Sequence, residues 1–173
     1  MLEKEIFTRI VRKLGGCESM KDSISIFIFD SNGKLLMQKR KVDKDNLEGL
    51  WTNTCSGDPK ENETIADAAH RSLEEEFGFD CKLDKLSEFY YRLEPSDGLY
   101  EQEYHHIYIG FYNGFPEPNK EEIVSWKWMN VFEILDELRH NPDNYMYWFR
   151  YTYRGVLDRV SKKQRNRILG LYI

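Results

Sequence analysis

Positive charge is in deficit in this chain: 25 Lys and Arg stand against 30 Asp and Glu, a net charge of −5. Without a basic excess there is no global attraction for nucleic-acid phosphate or anionic lipid, so nucleic acid is not an expected partner and any phosphate site must be local. Cysteine is scarce too. Cys17, Cys55 and Cys81 are odd in number and share no repeated spacing, which argues against a disulfide framework and against a Cys-ligated zinc site. A reducing cytoplasm is the expected compartment. No apolar run approaches the ~20 residues that span a bilayer, and the opening MLEKEIFTRIVRKL lacks a signal-type apolar centre. Neither membrane insertion nor export is expected. Internal repeats, low-complexity tracts and linkers are also lacking, so an array of small units is not expected.

Large apolar side chains, by contrast, are plentiful: hydrophobic residues make up 40% and aromatics 14%, with 11 Tyr, 10 Phe and 4 Trp. A packed core follows, and 173 residues suit one domain spanning 1–173. Leu2, Ile6, Ile10, Val11 and Leu14 lie near helical spacing ahead of Gly15-Gly16, which predicts a covering helix within 1–16. SISIFIFD and KLLMQKR, joined through Asn32-Gly33, read as a β-hairpin. Ile65, Ala68, Ala69, Leu73 and Phe77 then recur at helical spacing and Gly78 ends the pattern. Two more strands follow, LSEFYYRLE and LYEQEYHHIYIGFY, joined by a Pro95-Ser96-Asp97-Gly98 turn. WKWMN precedes a helix over VFEILDELRH, and NYMYWFRYTYRGVLDRV reads as a closing helix with KKQRNR as its solvated end. Strands alternating with few helices predict an α/β (α+β) fold, a mixed β-sheet with helices on its faces.

The chemistry concentrates on the acidic helix. Glu74, Glu75 and Glu76 crowd its C-terminal end, where like charges repel and the helix dipole favours cations. A divalent metal would relieve that strain, since Mg²⁺ takes one or two carboxylates together with phosphate oxygens and waters. Glu63 lies two turns before Arg71 on roughly the same side and is placed to pair with it. The plainer alternative is a solvated acidic face. The full spacing resembles the Nudix box: Gly57, five residues, Glu63, seven residues, Arg71, then Leu73, Glu75, Glu76, Gly78 and Phe79, with Ser72 where the pattern has Glu. The resemblance implies a Nudix-type α/β/α sandwich with its loop-helix at 57–79. It also implies Glu75 and Glu76 as metal ligands, with Glu63 and Arg71 bracing the helix.

The flanks resemble one branch of that superfamily, the type 1 isopentenyl-diphosphate isomerases. FDSNGKLLMQKR, LEGLWTNTCSGDP, DGLYEQEYHHIYI and NYMYWF carry the likeness from about Asp22 to about Val160. In that branch the segment after Trp-Thr-Asn-Thr carries a catalytic Cys and then a metal-binding His; here those positions hold Ser56 and Asp58. Further metal-binding His residues stand before and at the start of the branch's first strand. Here the second of those positions is Lys21, and no His precedes His70. The branch's Glu-x-Glu is kept as Glu101 and Glu103, two apart and so on one face of a strand, with His105 extending the row. Asp58, Glu101 and Glu103 are thereby candidate metal ligands beside Glu75 and Glu76. Arg40 and Lys44 fall where the branch contacts the diphosphate, with Arg71 nearby. Tyr91 and Trp148 match aromatic positions at its pocket.

These readings imply a Mg²⁺ enzyme, with Mn²⁺ as a substitute ion, acting on a small molecule that carries a diphosphate. Ser56 offers a hydroxyl, a far poorer acid than a thiol, and strand alternation turns Cys55 away from it. Hydrolysis of the diphosphate linkage is therefore expected ahead of isomerisation, with Glu103 or Glu63 as base and the residue-75 and residue-101 carboxylates meeting at one cation. Isomerisation of isopentenyl diphosphate stands as the alternative. A Nudix fold that binds a diphosphate without turnover is the third.

Overall fold

Residues 21–41, 49–93, 101–160 and 168 are described by the computed structural model, side chains at 91–93, 101 and 102 excepted. The expected helix within 1–16, Lys44, the Pro95–Gly98 turn and the KKQRNR stretch lie outside the described residues.

Strand β1 (Lys21–Phe29) organises the sheet. Its alternation sends Ile24, Ile26 and Ile28 to one face and Ser23, Ser25, Phe27 and Phe29 to the other, and all seven are buried. Burial on both faces is the mark of a strand inside a parallel pairing. β1 does run parallel to β6 (Glu101–Phe111) through nine residue pairs, from Lys21 opposite Glu103 to Phe29 opposite Phe111.

The Asn32-Gly33 turn forms as expected: Gly33 takes φ 74, and Asp30 Oδ1 accepts from the backbone N–H of Asn32 and of Lys34 at 2.9 and 2.7 Å. Beyond the turn the structure departs from a plain hairpin. β1 and β2 (Lys34–Arg40) pair at Phe29 and Leu35 and then separate. β2 turns to β7 (Ile123–Asn130), while the short strands β3 (Trp51–Thr52) and β4 (Cys55–Gly57) attach to β2 and β1 respectively. Thr54 spans the opening, its Oγ1 donating to the Leu36 carbonyl at 2.7 Å and accepting from the Ile28 N–H at 2.9 Å. One hydroxyl thus satisfies backbone groups that strand pairing would otherwise serve. β5 (Leu83–Leu93) completes the mixed sheet on the far side of β6.

Helix α1 (Ile65–Phe77) covers the face of Ile24, Ile26, Ile28 and Leu36 with Ala68, Ala69, Leu73 and Phe77. The Thr64 side chain caps its start by accepting from Asp67 N, and Gly78 ends it at φ 68. Helices α2 (Val131–His140) and α3 (Tyr147–Arg159) cover the other face, where Phe149 stacks on Phe27 at 6.2 Å between ring centroids. The result is the expected sandwich of helices about a mixed sheet. No helix among the described residues is long and apolar enough to cross a membrane.

Candidate active site

The described candidate residues gather at one end of the sheet, where β1 and β6 begin and β2, β4 and β5 end. On the α3 face of that end, apolar packing gives way to a hydrogen-bonded chain. Ser25 of β1 faces Ser56 of β4 across the strand register, with the two hydroxyl oxygens 3.3 Å apart. Ser25 Oγ also lies 2.7 Å from Nε2 of His105, and Ser23 Oγ lies 2.5 Å from its Nδ1. A neutral imidazole has one donor and one acceptor nitrogen, so one serine donates to His105 and the other accepts from it. Glu103, two residues earlier on the same face, brings Oε2 to 3.6 Å from His105 Nδ1. Phe89 closes over the imidazole at 5.4 Å, leaving His105 4% exposed.

In the other direction, Ser56 Oγ accepts from Asn53 Nδ2 at 3.0 Å and Asn53 Oδ1 accepts from the Thr52 hydroxyl at 2.8 Å. Thr52 accepts in turn from Trp148 Nε1 at 3.1 Å. Glu103, His105, Ser25, Ser56, Asn53, Thr52 and Trp148 therefore form one polar thread through a largely buried region. Ser23, Ser25 and Asn53 were not singled out by the sequence reading. Their signal was the pair of serines at alternate positions of SISIFIF, polar groups on one face of a strand otherwise too apolar to border water.

Cys55 points the other way, fully buried against the α1 side, and burial pushes its thiol well up. It does not reach the face that Ser56 occupies. At the rim, Lys21 Nζ lies 2.5 Å from Asp58 Oδ2, so the positions where the isomerase resemblance places two metal-binding histidines are joined here as an ion pair. The Tyr91 backbone pairs with Glu103 in the sheet; its side chain, like that of Glu101, lies outside the described residues.

On the α1 face the loop-helix is braced as expected. Arg71 grips Glu63 through Nε and Nη2 at 2.7 and 2.9 Å, reaches Glu75 through Nη1 at 2.8 Å and binds the Asp58 carbonyl at 3.1 Å. The Arg71 hydrogen bonds, aided by the Lys60 N–H, hold the Glu63 carboxyl down at about 2, and Glu75 is lowered chiefly by the same guanidinium. Ser72 is buried, its hydroxyl filling the space above Gly57, where a Cβ would sit 2.8 Å from Oγ.

Glu76 parts company with Glu75. It turns inward, is 7% exposed, and its Oε2 accepts from Gln38 Nε2 at 2.6 Å. Burial pushes its carboxyl up to about 7, against the opposing effect of the Gln38 hydrogen bond and of Arg40. Gln38 Nε2 also donates to the Thr54 carbonyl at 2.7 Å, which fixes the amide's orientation. Gln38 Oε1 is left buried without a hydrogen-bond partner among the described residues.

Of the residue-75 and residue-101 carboxylates expected to meet at one cation, the Glu101 side chain lies outside the described residues, and Glu76 and Glu103 do not come together. Glu76 lies on the α1 face and Glu103 on the α3 face, with the strands between them. Among the described residues no three His, Cys, Asp or Glu side chains are grouped to hold a metal.

The family model of the NUDIX domain matches residues 20–149. The chain belongs to the NUDIX family. Isopentenyl-diphosphate Delta-isomerase 2 of Aromatoleum aromaticum is 42% identical to it over 138 residues, covering 80% of this chain and 71% of that one. Its namesake in Photorhabdus laumondii is 42% identical over 134 residues, 78% and 76% of the two chains. Isopentenyl-diphosphate Delta-isomerase of Burkholderia multivorans is 37% identical over 146 residues, 80% and 83% of the two. Solved structures agree on the fold. The MutT protein of Methanosarcina mazei superposes with a TM-score of 0.65 at 15% identity, covering 82% of this chain and 96% of that one. A MutT NUDIX hydrolase of Burkholderia pseudomallei gives 0.62 at 20% identity, over 83% and 100%.

These findings overturn the expectation of diphosphate hydrolysis. Relatives at 35–42% identity across most of the chain are named isopentenyl-diphosphate isomerases. The geometry supplies a physical reason. Glu63, one of the two candidate bases, is locked in a two-point grip by Arg71, and Glu103, the other, is across the sheet from the loop-helix carboxylates.

Proposed function

We propose that the protein interconverts isopentenyl and dimethylallyl diphosphate. The reaction adds a proton to the terminal methylene carbon of the alkene, leaving positive charge on the tertiary carbon. It then removes a proton from the adjacent methylene, and the double bond re-forms there. One acid and one base must flank the hydrocarbon.

The observation that carries this reading is the buried thread from Ser56 through Ser25 to His105 and Glu103. A lone serine hydroxyl is a poor acid. A hydroxyl hydrogen-bonded to a second serine, which is bonded to an imidazole, can pass on a proton drawn from that imidazole. Ser56 thus takes the donor's place, with Ser25 and His105 behind it, and Glu103 serves as the acceptor. The half-buried Trp148 ring, oriented by Thr52, supplies a face that favours the transient cation, and by resemblance Tyr91 would supply another.

The diphosphate belongs at the rim of the same sheet end, with Arg40 and, by resemblance, Lys44. A divalent ion fits there. Glu76 is a buried carboxylate bonded to the Gln38 amide, and the orphaned Gln38 Oε1 beside it is a second hard oxygen. Glu76 and Gln38 would hold Mg²⁺, or Mn²⁺ in its place, and the ion would neutralise diphosphate oxygens. Glu75, held by Arg71, keeps the helix registered against the loop.

The test is proton NMR of isopentenyl diphosphate with the protein and Mg²⁺ in D₂O. The expected result is dimethylallyl diphosphate carrying deuterium in a methyl group. Intact substrate with no deuterium incorporation, under Mg²⁺ and under Mn²⁺, would overturn the proposal.

A further inference from the structure

The resemblance implies a metal ion held by histidines at the start of β1 and the end of β4. This chain carries the opposite of a ligand set at those places. Lys21 opens β1 with an ammonium, Asp58 follows β4 with a carboxylate, and the two meet at 2.5 Å. Lys21 also stands directly opposite Glu103 in the parallel register of β1 and β6. The cation thus belongs to the same corner as both carboxylates that would otherwise be ligands.

An ammonium has three donors and no lone pair, so it ligates nothing, and its charge repels a divalent ion brought to Asp58 or Glu103. The imidazole on that face, His105, has both nitrogens bonded to serines, at 2.5 and 2.7 Å. The remaining oxygens form no three-ligand group among the described residues. The residues present do not fit the implied metal.

We infer that the Lys21 ammonium replaces that metal ion, as a built-in cation that orients Asp58 and the neighbouring Glu103 at the rim of the site. The strand end then needs no transition metal, and any divalent-ion requirement of the protein resides with Glu76 and the diphosphate. Lys21 is a positioning residue here. The inference uses the strand-end site of the proposed function, but it is read by metal binding without turnover, so failure of either claim is recognisable separately.

The experiment is equilibrium dialysis of chelator-treated protein against micromolar Zn²⁺ or Co²⁺, with the d–d spectrum of Co²⁺ as a second readout. All proteins carry E76Q, which removes the ligand proposed for Mg²⁺, and in that background the chain with Lys21 and Asp58 intact is expected to take up no stoichiometric ion. The K21H/D58H double variant is expected to gain about one equivalent and an absorption band of low-coordinate Co²⁺. Lys21 and Asp58 have side chains 58% and 47% exposed, so the double variant should fold, which circular dichroism checks. One tightly bound equivalent in the E76Q protein, unchanged when K21M is added, would overturn the inference. So would a folded K21H/D58H protein that binds no ion, since the two positions would then not form a metal locus in this chain.

Discussion

The two faces of the sheet end carry carboxylates of opposite character. On the α1 face, Glu63 and Glu75 are gathered by Arg71 from positions eight and four residues away, and Arg71 also holds the loop carbonyl of Asp58. On the α3 face, His105 meets serines eighty or more residues away in the chain, with Glu103 beside it and the Lys21–Asp58 ion pair at the rim. The first cluster is local and saturated with ion pairs, which makes it a brace. The second is assembled only by the fold and wired through neutral hydroxyls. A proton moves more readily along such a thread than out of an arginine's grip, which is why the proposed chemistry is assigned to the α3 face.

The largest effect expected from this contrast is at Glu103. E103Q keeps the shape and removes the base, and should lower the isomerisation rate by about 10²–10⁴-fold while leaving the melting temperature close to wild type. S25A cuts the thread between Ser56 and His105 and should slow turnover by a smaller factor, with KM little changed. If E103Q and S25A both turned over at wild-type rate in the D₂O assay, the functional division between the faces would be wrong.

A second, smaller effect separates Glu76 from the brace beside it. Its carboxyl is pushed up to about 7 from an ordinary 4.5, so between those values the folded metal-free protein holds a proton that the unfolded chain releases. Stability should therefore fall as pH rises from about 4.5 through about 7, by an amount on the order of 3 kcal/mol in all. Denaturant unfolding of E76Q should lose most of this slope. Mg²⁺ together with a diphosphate ligand should reduce it in wild type, because a cation at Glu76 stabilises the ionised form. A flat profile for metal-free wild type would mean that Glu76 is less desolvated than its packing indicates.

The same contrast explains what could be read from the chain without coordinates. The Asn32-Gly33 turn, the helix over residues 65–77 and the Glu63 to Arg71 brace are set by neighbours within a few residues, and each formed as the pattern implied. The opening of the hairpin was not legible. β1 prefers a parallel partner eighty residues later, and β4 fills the gap that this choice creates. Because that gap sets Ser25 against Ser56, the polar thread was hidden too, and Ser56 looked like an isolated hydroxyl. The error about hydrolysis has the same source. It weighed Ser56 by its own acidity, without the imidazole that reaches it through Ser25.

The smallest expected effect tests whether the loop-helix cluster is only a brace. Arg71 holds Glu63's carboxyl at about 2, below the ordinary 4.5, so this interaction adds stability that is fully present above pH 4.5 and is lost as pH falls toward 2. The pair is near the surface and screened by water and salt, which keeps its contribution modest. R71A should therefore melt only a few degrees below wild type near neutral pH, and the gap should narrow steadily as the buffer is taken from pH 5 toward pH 3. Its turnover at saturating substrate should stay within about tenfold of wild type, because nothing on the polar thread touches Arg71. A loss in kcat matching that of E103Q, with the melting temperature unmoved, would place the chemistry on the α1 face and reverse the assignment of the two carboxylate sets.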